Sequence, residues 1–250
     1  MKALITGASS GIGRDMAIVL ANMGVDLVLV ARRGERLQQL KEALPVHVEI
    51  FCVDISEKEN CFALYQRVKD DNINILINNA GFGDFGEFKK TSLDKDLQMI
   101  KTNIQAVHIL TKLFLKDFVK KDDGYILNVA SSAAFLPGPL MATYYATKSY
   151  VLRLSMAISK EFKKRRSNVS ISILCPGPVQ TEFNNVANVN FLMNGKKSED
   201  VANQAISRMF MKKLLIIPGA LMKTSYYLTK ILPNNIQMEF SYRIQHRKNK

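Results

Sequence analysis

The chain has 250 residues, 47% of them hydrophobic, which is enough for one large core and ordinary for a single α/β domain over 1–250. Its three cysteines, Cys52, Cys61 and Cys175, lie far apart without metal-ligand spacing, so neither a metal site nor a disulfide framework is expected and a reducing, cytoplasmic setting fits best. The formal charge of +13 admits nucleic acid, an acidic membrane surface, an anionic cofactor or mere solubility, and only its position along the chain separates these.

A first strand is expected over Ala3–Thr6; this apolar stretch is too short for a secretory signal. Thr6, Gly7, Ala8, Ser9, Ser10, Gly11, Ile12 and Gly13 follow, then a helical run through Ala21. Glycines at this spacing allow a tight turn and close backbone approach, and the helix start offers amides and favourable potential to a pyrophosphate; the plainer reading is a strand-to-helix turn. The second strand, Asp26–Val30, leads into Ala31, Arg32 and Arg33 where NAD binders of this type carry a carboxylate for the ribose hydroxyls. Without that carboxylate nothing repels a 2′-phosphate, and two guanidiniums are available to pair with it. NADP(H) is therefore favoured over NAD(H), with Arg32 as the nearer contact; the alternative makes both arginines solvated residues opening the next helix.

The third strand, His47–Val53, is followed by Asp54, a candidate acceptor for an adenine amino group or a plain turn residue, and by Ser56 with Glu59 in a capping-box pattern. A fourth strand over Ile73–Ile77 runs into Asn78-Asn79-Ala80-Gly81, and a long helix is expected around Asp94–Phe118. The fifth strand, Tyr125–Val129, is followed by Ser131 and by a helix over Ala142–Phe162, the sixth is Ser170–Leu174, and Phe183–Lys197 reads as a mobile loop. With the helix that Ser198, Glu199 and Asp200 open, this loop makes a substrate lid over 183–210. A seventh strand, Leu214–Ile217, precedes a basic C-terminal segment over 219–250. None of the apolar runs approaches the ~20 residues of a membrane-spanning helix. Seven strands alternating with helices, several apolar on both faces, imply a doubly wound α/β fold: a mostly parallel, Rossmann-type sheet with helices on both faces.

Tyr144 and Lys148 are one helical turn apart and can face one site. Two other Tyr-x-x-x-Lys matches exist, Tyr65 with Lys69 and Tyr226 with Lys230, but only Tyr144 has a hydroxyl residue, Ser131, thirteen positions before it at the end of a strand. Here the chain resembles the short-chain dehydrogenase/reductase family along nearly its whole length. The resemblance is carried by Thr6 to Gly13, Asn78 to Gly81, Asn103, Ser131, Tyr144, Lys148 and Pro176-Gly177-Pro178-Val179-Gln180-Thr181. Ala130-Ser131-Ser132, Pro137-Gly138-Pro139 and Tyr144-Tyr145-Ala146-Thr147-Lys148 resemble the branch that includes 3-oxoacyl and 17β-hydroxysteroid reductases.

The resemblance implies that Tyr144 is the general acid in carbonyl reduction, or the base in alcohol oxidation, and that Lys148 favours its phenolate and binds the nicotinamide ribose. It further implies that Ser131 orients the substrate oxygen and that Asn103 holds a water linking Lys148 to solvent. Thr181 binds the carboxamide, Asn79 supports the cofactor and the sheet, and Pro176, Gly177 and Val179 complete the cofactor wall. A register shift to Ser132 or Tyr145, a purely polar Asn103, and purely structural Asn78 and Asn79 stay open. Ala133, Phe135, Leu136, Phe183, Leu192 and Met193 make an apolar slot for a hydrophobic ketone or alcohol, or else pack lid and core. The two long helices imply a homo-oligomer, as commonly in the family.

A non-catalytic NADP(H) sensor would keep the glycine turn without needing the Ser, Tyr and Lys set, and all three are present. A nucleic-acid binder would show a basic stripe interleaved with aromatics, which the chain lacks. From Met211 onward eight basic residues face one acidic residue, Glu239, a net +7 alongside Leu221, Met222, Tyr226, Tyr227, Leu228, Ile231 and Leu232 at near-helical spacing. That combination suits weak peripheral contact with an anionic membrane; the alternative has these apolar residues covering the pocket or an oligomer contact.

Overall fold

Alternation along the strands decides the architecture: Ala3 and Ile5, Leu27 and Leu29, Ile75 and Ile77 bury on one face of the sheet, while Leu4, Val28, Val30 and Leu76 bury on the other. A computed structural model describes residues 1–189 and 195–246. In chain order the elements are β1 (Lys2–Thr6), α1 (Gly11–Asn22), β2 (Asp26–Ala31), α2 (Gly34–Ala43), β3 (Val48–Cys52), α3 (Lys58–Val68) and β4 (Ile75–Asn78). Next come α4 (Leu93–Ile100), a π-helical turn over Lys101–Ala106, α5 (Val107–Lys121), β5 (Tyr125–Val129), α6 (Ala142–Lys164) and β6 (Ser170–Leu174). The last part holds β7 (Val179–Gln180), α7 (Phe183–Val186), β8 (Lys196–Lys197), α8 (Ser198–Phe210), β9 (Leu215–Ile216), α9 (Ala220–Leu228) and α10 (Asn234–His246).

The seven-stranded sheet runs β3-β2-β1-β4-β5-β6-β9 with every pair parallel, so the expected doubly wound fold is present. One face is covered by Met16, Ala17 and Leu20 of α1, Leu37 and Leu40 of α2, and Val201, Ala205 and Met209 of α8. The other is covered by Cys61 and Leu64 of α3, Leu110, Phe114 and Phe118 of α5, and Phe162 of α6. The order reverses between β1 and β4, and a crevice at the carboxyl ends of strands beside such a switch is where open α/β sheets bind ligands.

Three local expectations are changed. Ser56 does not cap the third helix: α3 starts at Lys58, and the Ser56 amide instead donates to Asp54 Oδ1 at 2.9 Å, closing a turn that occupies the carboxylate. The helix expected over Asp94–Phe118 is present without a gap, but its middle is the π-helical turn, in which Asn103 is fully buried. Within the expected lid, α8 packs against α1 as part of the core, which leaves Phe183–Lys197, of which 190–194 lie outside the described residues. Among the described residues no helix is long and apolar enough to cross a membrane.

Candidate active site

At the end of β1 the backbone turns at Gly7 with φ of 67°, a left-handed conformation that favours glycine. A Cβ on Gly13 would lie 2.3 Å from Asn79 Nδ2 and 2.4 Å from the Gly7 carbonyl oxygen, so the turn and α1 meet at a distance only glycine permits. Asn79 braces the same turn: its Nδ2 donates to the carbonyls of Thr6 at 3.0 Å and Gly7 at 3.1 Å, and its amide donates to Thr6 Oγ1 at 3.0 Å. Anchored from behind, Gly7, Ser9, Ser10, Gly11 and Ile12 line a cavity of about 530 Å³.

Arg33, rather than Arg32, lies against this turn. Its Nε and Nη2 donate to Ser9 Oγ at 3.2 and 3.1 Å, and Nη2 also donates to Ser10 Oγ at 2.8 Å. Its Nη1 donates to Glu182 at 2.7 Å, and Arg36 donates to the other oxygen of that carboxylate at 2.5 Å. Hydrogen bonds from Arg33 first and Arg36 second hold the Glu182 carboxyl down at about 2. Arg32 lines the cavity beside Asp54, 3.7 Å from that carboxylate, with its side chain 65% exposed and no bond to the turn. Helix α2 begins at Gly34, which places Arg33 at its N-cap with the side chain free to fold back across the turn. Sequence order alone carries no trace of that direction, nor of Glu182.

At the cavity's other end, α6 sets Tyr144 and Lys148 on its buried face, 8% and 5% exposed. Lys148 Nζ donates to the Val129 carbonyl at 2.9 Å and lies 6.0 Å from the centre of the Tyr144 ring. Burial raises the Tyr144 phenol well above its ordinary value, opposed by the neighbouring Ser131 hydroxyl, while burial pulls the Lys148 ammonium down to about 8. Ser131 adopts an extended backbone after β5 and its Oγ accepts from the Ala133 amide at 3.1 Å, which fixes the side chain. Asn103 stands one layer back: its Nδ2 donates to the Phe82 carbonyl at 2.9 Å and Thr147 Oγ1 at 3.0 Å, and its Oδ1 accepts from the Phe82 amide at 3.1 Å. A Cβ on Gly81 would meet both Asn103 Oδ1 at 2.9 Å and Lys148 Nζ at 3.2 Å.

The competing tyrosines sit elsewhere. The Tyr65 hydroxyl donates to Asp117 at 2.7 Å, and the Tyr226 ring packs 4.8 Å from Phe135. Tyr145 and Ser132 also line the cavity, with the Tyr145 hydroxyl accepting from Gln245. Arg32, Asp54, Pro176, Gly177, Val179 and Thr181 also line the cavity, whereas Gly13 and Asn103 stand behind it. Thr181 Oγ1 accepts from the Phe183 amide at 3.3 Å, tying the cofactor wall to α7. Asn78 turns into the core and donates to Thr111 and Asn128 at 3.0 and 2.8 Å.

Around the catalytic end the apolar wall consists of Ala133, Leu136, Met141 and Phe183, whose ring lies 5.3 Å from that of Tyr144. Phe135 faces Tyr226 instead, and Leu192 and Met193 lie outside the described residues. The C-terminal helices complete the wall through Met222, Phe240, Ser241, Ile244 and Gln245, none of them among the expected slot residues. Of these only Met222 belongs to the apolar spacing read over Leu221–Leu232, whose alternative reading is pocket cover.

The short chain dehydrogenase family matches residues 1–190. Hydroxysteroid dehydrogenase-like protein 1 of Gallus gallus is 29% identical over 221 residues, covering 84% of this chain and 66% of the relative. The very-long-chain 3-oxoacyl-CoA reductase of Anas platyrhynchos is 30% identical over 201 residues, 76% of this chain and 63% of the relative. The chain thus spans a little under two thirds of the length of either. A short-chain dehydrogenase from Sphingobium yanoikuyae, solved in complex with NADPH, superposes with a TM-score of 0.81 at 30% identity, covering 93% of this chain and 96% of that one.

Proposed function

This chain belongs to the short-chain dehydrogenase family, and from that premise we propose that it is an NADP(H)-dependent oxidoreductase that reduces a carbonyl, or oxidises a secondary alcohol, of an apolar substrate. The observation that carries the reading is one cavity with two equipped ends: a glycine turn crossed by Arg33, and a buried Tyr144 beside Ser131 and Lys148. The residues fit a phosphorylated dinucleotide, since Gly7 and Gly11 line the cavity without side chains and Arg33 presents a planar donor fork that matches a phosphate. When bound, the reduced nicotinamide supplies the hydride.

The chain's own contribution is proton placement. Burial keeps the Tyr144 phenol protonated at neutral pH, so it donates its proton to the substrate oxygen as negative charge develops there. Ser131, held by its bond from Ala133, offers a second donor to that oxygen and orients it. Lys148, whose value near 8 lies close to neutral pH, supplies positive charge beside the phenolate left behind. Both side-chain amide hydrogens of Asn103 are engaged, with the Phe82 carbonyl and Thr147 Oγ1, so this side chain has no free donor to offer Lys148 or a water. Asn103 is therefore a positioning residue that holds Phe82, and with it Gly81, against Lys148.

The wall of Leu136, Met141, Phe183, Met222 and Phe240 favours an apolar substrate body. Leu93, Leu97 and Ile100 form an exposed apolar stripe on α4, the surface we assign to a homo-oligomer. The decisive experiment follows NADPH consumption across ketones, aldehydes and acyl thioesters with wild type and Tyr144→Phe, alongside direct NADPH binding. The variant is expected to bind NADPH and lose nearly all turnover; a variant as active as wild type refutes the assignment.

A further inference from the structure

Helix α10 is built inside out. Among its described residues only Gln237, Ser241 and Gln245 are buried, a polar stripe at intervals of four, while Ile236, Met238, Phe240, Tyr242 and Ile244 are all exposed. The buried stripe has polar partners: Gln237 Nε2 donates to the carbonyls of Thr229 at 2.9 Å and Leu232 at 2.6 Å, and Gln245 donates to the Tyr145 hydroxyl. Gln245 thus ties the helix to the body and Gln237 ties it to the α9–α10 link, while large apolar side chains stay exposed on both flanks of the buried stripe, unlike an ordinary surface helix. Helix α9 and the link to α10 add Leu221, Leu228 and Ile231, the last 81% exposed. Of the twenty exposed large apolar side chains among the described residues, ten lie between Leu221 and Ile244, which concentrates them on one part of the molecule.

We infer that this α9–α10 face docks onto an anionic lipid surface and opens the substrate cavity toward it. Charge selects that occupant. Among the described residues of α9–α10, Lys223, Lys230 and Arg243 stand against one acidic residue, Glu239, itself paired with Arg243 at 2.6 Å, and the sequence adds Arg247, Lys248 and Lys250 beyond the described residues. A second copy docked through the same face about a two-fold axis would set that charge against itself, whereas an anionic membrane complements it. Lys230 lies 4.5 Å from the centre of the Tyr226 ring, with its stem along the apolar surface and its ammonium available to headgroups. The face is also the cavity's rim: Phe240 and Ile244 are both exposed and lining, so a substrate dissolved in lipid would reach Tyr144 past side chains already in the bilayer interface. This last step rests on the apolar-substrate reading above; the docking itself does not.

The test is co-sedimentation of the full chain with vesicles of phosphatidylcholine alone or mixed with phosphatidylserine, at low and high salt. Wild type is compared with Ile231→Glu/Ile236→Glu, two positions away from the cavity wall. Wild type is expected to pellet with the mixed vesicles at low salt, with partitioning at least about tenfold above that on neutral vesicles and falling as salt rises. The double variant should remain in the supernatant while its turnover of a water-soluble ketone without vesicles and its circular dichroism match wild type. Absence of wild-type pelleting on mixed vesicles overturns the inference, as does equal pelleting on neutral ones. A variant that pellets like wild type but sediments as a smaller species without vesicles overturns it in favour of a second copy on this face. Turnover of the soluble ketone separates the two readings: its absence with pelleting intact counts against the oxidoreductase alone.

Discussion

Replacing Arg33 by alanine tests where cofactor discrimination resides. The guanidinium crosses the glycine turn with three contacts to Ser9 and Ser10, between 2.8 and 3.2 Å, and in the proposed function it is the group that meets a 2′-phosphate. Hydrogen bonds to charged groups contribute about 1.5–3 kcal/mol, which corresponds to roughly a tenfold to 150-fold change in Kd. The lower end applies, because Glu182 already occupies Arg33 and an arriving phosphate exchanges one anionic partner for another. Arg33→Ala should therefore raise the NADPH Kd by about tenfold and leave that of NADH nearly unchanged. Arg32→Ala, at a side chain 65% exposed and facing Asp54, should change either by less than about threefold. Glu182→Gln removes the competing carboxylate and should tighten NADPH several-fold without affecting NADH. Its carboxyl is held at about 2, below the ordinary 4.5, so the ion pairs are fully present above the ordinary value and are lost only as pH falls through about 2; discrimination should be flat across neutral pH. Fluorescence titration of both cofactors against the four proteins measures all of this. Equal losses for NADPH and NADH in Arg33→Ala, or a larger effect at Arg32, would refute the reasoning.

Tyr65→Phe should retain wild-type turnover but lose the bond to Asp117, costing about 1 kcal/mol and lowering Tm by about 2–4 °C; a large loss of turnover would mean that the wrong tyrosine has been assigned. Lys148, depressed from 10.5 to about 8, is neutral above that value, so reductive kcat/KM should fall as pH rises through about 8. The same depression means the unfolded chain binds more protons between about 8 and 10.5, so this group penalises folding most at and below pH 8. Lys148→Met should then be inactive yet more stable at neutral pH by on the order of 2 kcal/mol, after allowing for the lost bond to Val129; thermal melts showing destabilisation would contradict this. Gly13→Ala forces a methyl to within 2.4 Å of the Gly7 carbonyl, so binding of both cofactors should be lost together; retained NADPH binding would show that the turn can relax.

Strand positions, the parallel sheet and the association of Ser131 with Tyr144 and Lys148 follow from the chain alone, because each is written in local terms. Period-two apolar alternation marks strands covered on both faces, and a four-residue spacing puts two side chains on one face of a helix whatever surrounds it. What the sequence left undecided was long-range direction. The sequence points to Arg32 as the nearer contact, but the start of α2 at Gly34, with Glu182 brought in from 149 positions away, lays Arg33 across the glycine turn. Asn103 sits in what reads as an unbroken helix, and its inward turn depends on π-helical backbone that no local pattern announced. The C-terminal segment shows the same division. Its basic charge and apolar spacing are legible, but whether the apolar side chains face the core or the surroundings depends on which stripe of α10 finds partners. Gln237 finds its partners in the link to α9 and Gln245 finds one on Tyr145, so the tertiary structure buries the polar stripe and leaves the apolar side chains beside it exposed.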